Sequence, residues 1–160
     1  MTGTLTIRSA SDADRPRLRQ AIVELQNYER TLHATRLSGP EVADAYLDWM
    51  LDRTARRGVV LIAENSGTFV GFVAGWIEAT ENIGETSDSN HIGYVSDICV
   101  MPDFRGRRIA SQLLNSIEQH LAGFGISRLR INSLAANKAA RASYERTGFG
   151  QYEIIYEKTI

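Results

Sequence analysis

The sequence predicts one α/β domain built on a mixed sheet, and three observations carry that reading. Segments of period-two apolar pattern and segments of helical period follow one another in the order β-α-α-β-β-β-α-β-α-β. The 160 residues are 43% apolar and 23% charged, which is the composition of a chain with one real core. No repeat, linker or low-complexity run divides them, so residues 1–160 read as a single domain.

Each element has its own signal. Leu5-Thr6-Ile7-Arg8 alternates and is rich in β-formers, giving a first strand. Ser11 opens Ser-Asp-Ala-Asp, a capping pattern, and a helix to about Leu32 follows with Leu18, Ile22, Leu25 and Tyr28 on one face. Pro40 suits the first turn of a second helix, whose stripe is Val42, Tyr46, Trp49 and Met50 and whose stop is Gly58. Val59–Glu64 and Thr68–Ala79 are predicted strands joined by Asn65-Ser66-Gly67 as a hairpin. Gly67, Gly71 and Gly75 fall four apart among β-formers, which suits small residues on a bent strand. Residues 80–91 are polar and read as a loop. Predicted next are a strand over Ile92–Met101, a helix over Gly106–Leu121, a strand over Ser127–Leu134 and a helix over Asn137–Arg146. The alternation of Gly148–Lys158 predicts one or two closing strands.

Composition excludes several functions. With 18 basic and 19 acidic residues the net charge is −1, so the electrostatic footprint of a nucleic-acid binder is missing. No apolar run reaches the roughly 20 residues of a membrane-spanning helix, and the first residues lack a signal-peptide core. A cytoplasmic location without membrane association is therefore expected. Cys99 is the only cysteine and the three histidines are scattered, so neither a disulfide nor a metal site is expected.

The chemistry concentrates in Tyr94–Ala110, YVSDICVMPDFRGRRIA. A buried strand ends at Met101-Pro102, a basic loop follows, and a helix begins with Ile109, Leu113, Ile117 and Leu121 on one face. Free N–H groups and the positive dipole end of such a helix suit phosphate oxygens. Arg105, Arg107 and Arg108 crowd the same end, where an anion would relieve their mutual repulsion; a merely solvated basic turn is the other reading. The common nucleotide loops, G-x-x-x-x-G-K-[ST] and G-x-G-x-x-G, are absent from the sequence.

One strand further on comes Asn137–Phe149, NKAARASYERTGF. Together these segments resemble the GCN5-related N-acetyltransferase (GNAT) family. Its phosphate loop, [QR]-x-x-G-x-[GA], corresponds here to Arg105-Gly106-Arg107-Arg108-Ile109-Ala110, with Arg108 where the family has glycine. Its later helix, N-x-x-A-x-x-x-Y-E-x-x-G-F, is matched by Asn137, Ala140, Tyr144, Glu145, Gly148 and Phe149. The specific motifs lie within residues 94–149, while the element order matches throughout. The resemblance implies a GNAT-like α/β fold, a mixed but mostly antiparallel sheet flanked by about four helices.

It further implies direct transfer of an acetyl group from acetyl-coenzyme A, as cosubstrate, to a primary amine. The backbone of Ile98, Cys99 and Val100 would pair with the pantetheine amides, and a strand N–H near Val100 would meet the thioester carbonyl. The amides of Arg105–Ser111, that is Arg105, Gly106, Arg107, Arg108, Ile109, Ala110 and Ser111, would hold the pyrophosphate, and Asn137 the pantetheine arm. Tyr144 corresponds to the family's general acid, which protonates the departing thiolate. Cys99 has no histidine placed to activate it and reads as packing. Asp97 is taken as general base, ahead of Glu78 and His91; a carboxylate paired with an arginine is its alternative role. Asn132, which cannot ionise, stands where N-terminal acetyltransferases of ribosomal proteins carry glutamate.

For the acceptor, residues 78–88 hold four carboxylates, Glu78, Glu81, Glu85 and Asp88, and no basic group. Such a loop would attract a cationic amine, although charged loops are commonly just solvated. In relatives the link from Tyr28 to Pro40 covers the acceptor cleft, which brings in Tyr28 and His33. A small-molecule acceptor is expected; a protein lysine or N-terminal amine, or an inactive acyl-coenzyme A-binding sensor, are the alternatives. Many members dimerise, and the closing strands offer an edge for a homodimer.

Overall fold

A computed structural model describes residues 3–160. Five strands form one sheet in sequential order: β1 (Leu5–Ser9), β2 (Gly58–Asn65), β3 (Thr68–Ala79), β4 (His91–Val100) and β5 (Leu129–Ile131). The first four pair antiparallel, and β5 lies parallel to β4. The predicted mixed, mostly antiparallel sheet is thus present.

The helices cover both faces. On one side lie α1 (Arg15–Leu32) and α2 (Gly39–Arg57), which bury Leu18, Ile22, Leu47 and Met50 against Val60, Ile62, Phe72 and Cys99. On the other, α3 (Ile109–Ala122) buries Ile109, Leu113, Leu114, Ile117 and Leu121 against Leu61, Val70, Val73 and Val95. Each such side chain contributes about 1.5–3 kcal/mol, so the predicted stripe of α3 anchors the loop before it. The last helix, α4 (Lys138–Arg146), adds Tyr144 and Phe149 to that second face.

Two backbone irregularities shape the site. Along β3 and β4, Gly75 pairs with Val95 and Ala74 with Asp97, which leaves Ser96 as an extra, bulged residue. The bulge turns Tyr94 and Asp97 toward the same face. Meanwhile β5 pairs with only Gly93, Tyr94 and Val95, so the predicted strand over 127–134 shrinks to Leu129–Ile131. Beyond Val95 the two strands part and leave a wedge.

The other departures have backbone causes. The helix expected from Gly106 starts at Ile109, because Gly106 (φ 76°) and Arg108 (φ 60°) adopt left-handed conformations that no right-handed helix continues. The first predicted helix opens with a short tight turn over Asp12–Asp14. The closing strands over Gly148–Lys158 do not form: residues 150–160 are exposed and outside any ladder, and with them goes the strand edge expected for a dimer.

Candidate active site

The wedge between β4 and β5 opens into a cavity of about 580 Å3, walled by α1, the loop before α3 and its first turn, and α4. Its chemistry begins with backbone. Met101 N–H donates to Val70 C=O at 2.9 Å, and the register sets Phe72 opposite Cys99 and Val73 opposite Ile98. Bonded and non-bonded pairs alternate along an antiparallel ladder, so Cys99 spends its backbone groups on β3 while Ile98 and Val100 turn theirs toward the wedge. The Val100 carbonyl indeed accepts from Arg105 Nε at 3.0 Å. Of the three residues expected to offer a strand edge, two do so, and Cys99 does not.

The second wall is the N-terminus of α3. The first intrahelical bond runs from Gln112 N–H to Arg108 C=O at 3.2 Å, so the N–H groups of Ile109, Ala110 and Ser111 have no helical partners. All three residues line the cavity, with Arg105, Gly106 and Arg108. A Cβ on Gly106 would meet no atom within 4 Å; what position 106 needs is the backbone angle. Arg107 behaves otherwise: it donates to Asp103 C=O at 3.1 Å, lies over the Phe104 ring and faces away from the cavity. Arg105 lies 5.7 Å from the Tyr28 ring centroid, spanning the wedge from loop to α1.

The third wall is α4. Asn137 is buried and caps this helix, its Oδ1 accepting from Ala140 N–H at 3.1 Å, which leaves the amide NH2 as a donor into the cavity. Tyr144 lines the cavity two turns on, its ring tilted against Phe149 at 6.1 Å. Burial pushes its phenol well above the ordinary range, with smaller contributions from the charges of Glu29 and Asp97. It therefore stays protonated at neutral pH.

Asp97 faces these groups from the bulge. It is 7% exposed; Tyr46 OH of α2 donates to its Oδ1 at 2.8 Å, and its buried Oδ2 has no hydrogen-bond partner. Burial raises its pKa above the ordinary carboxylate range, the hydroxyls of Ser96 and Tyr46 act to lower it, and the charge of Glu29 adds to the rise. The partner is thus a tyrosine where an arginine was the alternative expectation. Cys99 sits on the next residue of that face, its thiol pushed up to about 12 by burial, which removes it as a nucleophile at neutral pH.

Several expected residues fall elsewhere. Glu78 accepts from Trp76 Nε1 at 3.1 Å and His91 lies 3.4 Å from Arg57, both outside the cavity lining. The acidic loop likewise stays away: Asp88 accepts from Arg128 at 2.6 Å and Glu85 from Tyr152 at 3.1 Å, tying the loop to β5 and the tail. His33 pairs with Glu157, while Tyr28 does line the cavity. Two contributors went unnoticed in the sequence, Glu29 of α1 and Tyr46 of α2. Helical spacing from Leu25 would have placed Glu29 on the cavity side; nothing local points to Tyr46. Among the described residues no group of three or more His, Cys, Asp or Glu could hold a metal, and no helix is long and apolar enough to cross a membrane.

Comparison with known proteins agrees with this layout. A family model described as the acetyltransferase (GNAT) family matches residues 21–149. An uncharacterized N-acetyltransferase of Bacillus subtilis, YycN, is 28% identical over 96 residues, a match that spans 60% of this chain and 57% of that relative's length. A GCN5-related N-acetyltransferase from Ralstonia eutropha superposes with a TM-score of 0.77 at 18% identity, over 98% of this chain and 99% of that one. The aminoglycoside N-acetyltransferase AAC(6')-Iy, solved in complex with coenzyme A, superposes at 0.73 with 20% identity, over 100% and 98%. A family model that takes in everything from the middle of α1 to Phe149 includes every wall of the cavity, and this chain belongs to the GNAT acetyltransferase family.

Proposed function

We propose that the chain transfers the acetyl group of acetyl-coenzyme A to a primary amine of a small molecule. One observation carries the reading: a phosphate-type helix N-terminus, an open strand edge, a protonated phenol and a buried carboxylate converge on one cavity. The residues fit coenzyme A on physical grounds. Three unpaired amides and the guanidinium groups of Arg105 and Arg108 suit a pyrophosphate, and the backbone groups that Ile98 and Val100 turn to the wedge, the Val100 carbonyl now accepting from Arg105, suit the amides of a pantetheine arm. Arg107 joins them if its side chain leaves Phe104.

When bound, acetyl-coenzyme A supplies the acyl group as an activated thioester. The chain's own residues orient the partners and move protons. Asp97 Oδ2 accepts the proton that the acceptor amine must lose, and the Tyr46 bond at Oδ1 holds that oxygen toward the cavity. Tyr144 donates its phenolic proton at the departing sulfur. The Asn137 amide donates to the pantetheine arm. AAC(6')-Iy has also been solved with a bisubstrate analogue of coenzyme A and acetylneamine, and this supports a small amine as acceptor. Association of two copies belongs to the same proposal, with exposed Ile154, Ile155 and Tyr156 of the tail as the apolar surface; sedimentation of a chain truncated after residue 150 tests it.

The decisive experiment is thiol release from acetyl-coenzyme A across an amine panel. Tyr144→Phe should lower turnover by roughly 10²–10⁴ with cofactor affinity nearly constant, the usual worth of positioned proton transfer. Asp97→Asn should depress the rate most at low pH, where little amine is already deprotonated. Binding of coenzyme A without release of thiol to any amine would leave only a binding module.

A further inference from the structure

The cavity carries two carboxylates, and the mechanism uses only one. Glu29 lines it beside Leu25 and Tyr28, on the α1 wall. Its carboxylate is loosely engaged: Arg36 of the α1–α2 linker brings Nε to 3.1 Å from Oε2, yet that N–H points at no acceptor in hydrogen-bonding alignment. The second carboxylate, Asp97, is buried with Oδ2 unpartnered. Glu29, Asp97 and Tyr144 all line this one cavity, and Tyr46 backs it by its bond to Asp97 Oδ1. The cations Arg105, Arg108 and Arg146 and the free amides of α3 line the same cavity, with Arg105 reaching over Tyr28. The cavity therefore carries both signs of charge, the amides and arginines suiting phosphate and the two carboxylates suiting a cation. Two carboxylates ionised together repel, and a cation near both relieves that cost.

We propose that Glu29 is the specificity-determining residue of the acceptor site, holding a second ammonium of a di- or polyamine whose other amine reaches Asp97. This rests on reading the cavity as an amine acetyltransferase site. The two carboxylates divide the work. Asp97, deep and largely desolvated, takes the attacking amine; Glu29, on the outer wall and partly exposed, takes a group that stays charged. Arg36 competes with that ammonium for the same carboxylate, so Arg36 opposes acceptor binding.

The test follows thiol release from acetyl-coenzyme A with linear alkyl monoamines and the α,ω-diamines of equal length. The parent should favour diamines in kcat/KM by about tenfold or more, the worth of one charge-assisted bond. Glu29→Gln keeps the side-chain shape and should erase that preference by raising the diamine KM, while any change through the charge removed near Asp97 and Tyr144 falls on monoamine and diamine alike and leaves their ratio to report the site. Arg36→Ala should act in the opposite direction and lower the diamine KM. If Glu29 served only to clasp the linker, both variants would impair both acceptors alike, and that result overturns the assignment. Equal use of monoamine and diamine by the parent overturns it too, while leaving the transferase reading intact. Absence of thiol release with every amine would instead defeat the transferase reading itself.

Discussion

Arg108 offers a clean test of how the phosphate loop is built. It is the N-cap of α3 at φ 60° and ψ 17°, a left-handed conformation in a residue with a Cβ. Such a conformation costs an L-residue about 1–2 kcal/mol. Its cation also sits at the positive end of the α3 dipole, worth a further ~0.3–0.5 kcal/mol of repulsion at an exposed site. Arg108→Gly removes both costs, while the freer unfolded chain takes back about 0.5–1 kcal/mol. The net gain is about 0.3–2 kcal/mol, which for a chain of this size raises Tm by roughly 1–8 °C. Arg108→Ala removes the charge but keeps the backbone strain, so it should fall about 1 kcal/mol below the glycine variant. Urea and thermal unfolding of the three proteins, without ligand, measure the ranking. An alanine variant as stable as the glycine one would refute the strain argument. Calorimetry with coenzyme A adds a second reading: a loss beyond roughly tenfold in Arg108→Gly shows that the guanidinium itself contacts the cofactor.

Other consequences follow from the same geometry. Arg105→Ala should weaken coenzyme A by roughly 1–3 kcal/mol with reduced salt dependence, and Arg107→Ala by less, since its guanidinium lies on Phe104; unchanged calorimetric affinity in Arg105→Ala would remove the phosphate site. Asp14, 2% exposed, accepts a bidentate pair of bonds from Arg8 at 2.8 and 3.0 Å, so Arg8→Met should lower the Tm, with the Ser11 N–H and hydroxyl still holding one carboxylate oxygen. The Arg8 bonds hold the Asp14 carboxyl well below the usual range, so this stability is present above about pH 4 and lost as pH falls below it. Acid titration of Asp14→Asn should be flatter there than that of the parent; identical acid limbs would count against the pair. Gly71→Ala places a Cβ 2.4 Å from the Cys99 carbonyl and should cost about 1–3 kcal/mol, read as a lowered Tm; a Tm equal to the parent's would show that β3 and β4 can yield.

How far the sequence carries depends on the range of the interactions involved. The helix face of α3, the hairpin of β2 and β3, and the cap at Asn137 are local and were legible as periodicity, turn chemistry and motif. Arg105, Arg108 and Tyr144, which line the cavity, are legible in the same way. The tail departs from its alternating pattern for a physical reason. Alternation marks a strand only when a ladder edge receives it, and residues 150–160 have the pattern without the partner.

The bulge at Ser96 explains most of what the sequence did not disclose. No residue type announces it, since it exists only in the register between β3 and β4. Strict alternation along Tyr94–Val100 would set Tyr94 and Asp97 on opposite faces; the extra residue sets them on one. That puts Asp97 under Tyr46 of α2, 51 residues away in sequence, and among the residues that line the cavity, with its second oxygen buried and unpartnered. The divergence of β5 from β4 frees the backbone edge at Ile98 and Val100 for a ligand. The inserted residue thus sits where β5 pairing ends and sets Asp97 on the face of α2. Restoring regular pairing by deleting Ser96 should close the wedge, and loss of coenzyme A binding and of thiol release together, with the fold retained by circular dichroism, is the expected result. A deletion variant that still binds coenzyme A at parental affinity would show that the cleft does not depend on the bulge.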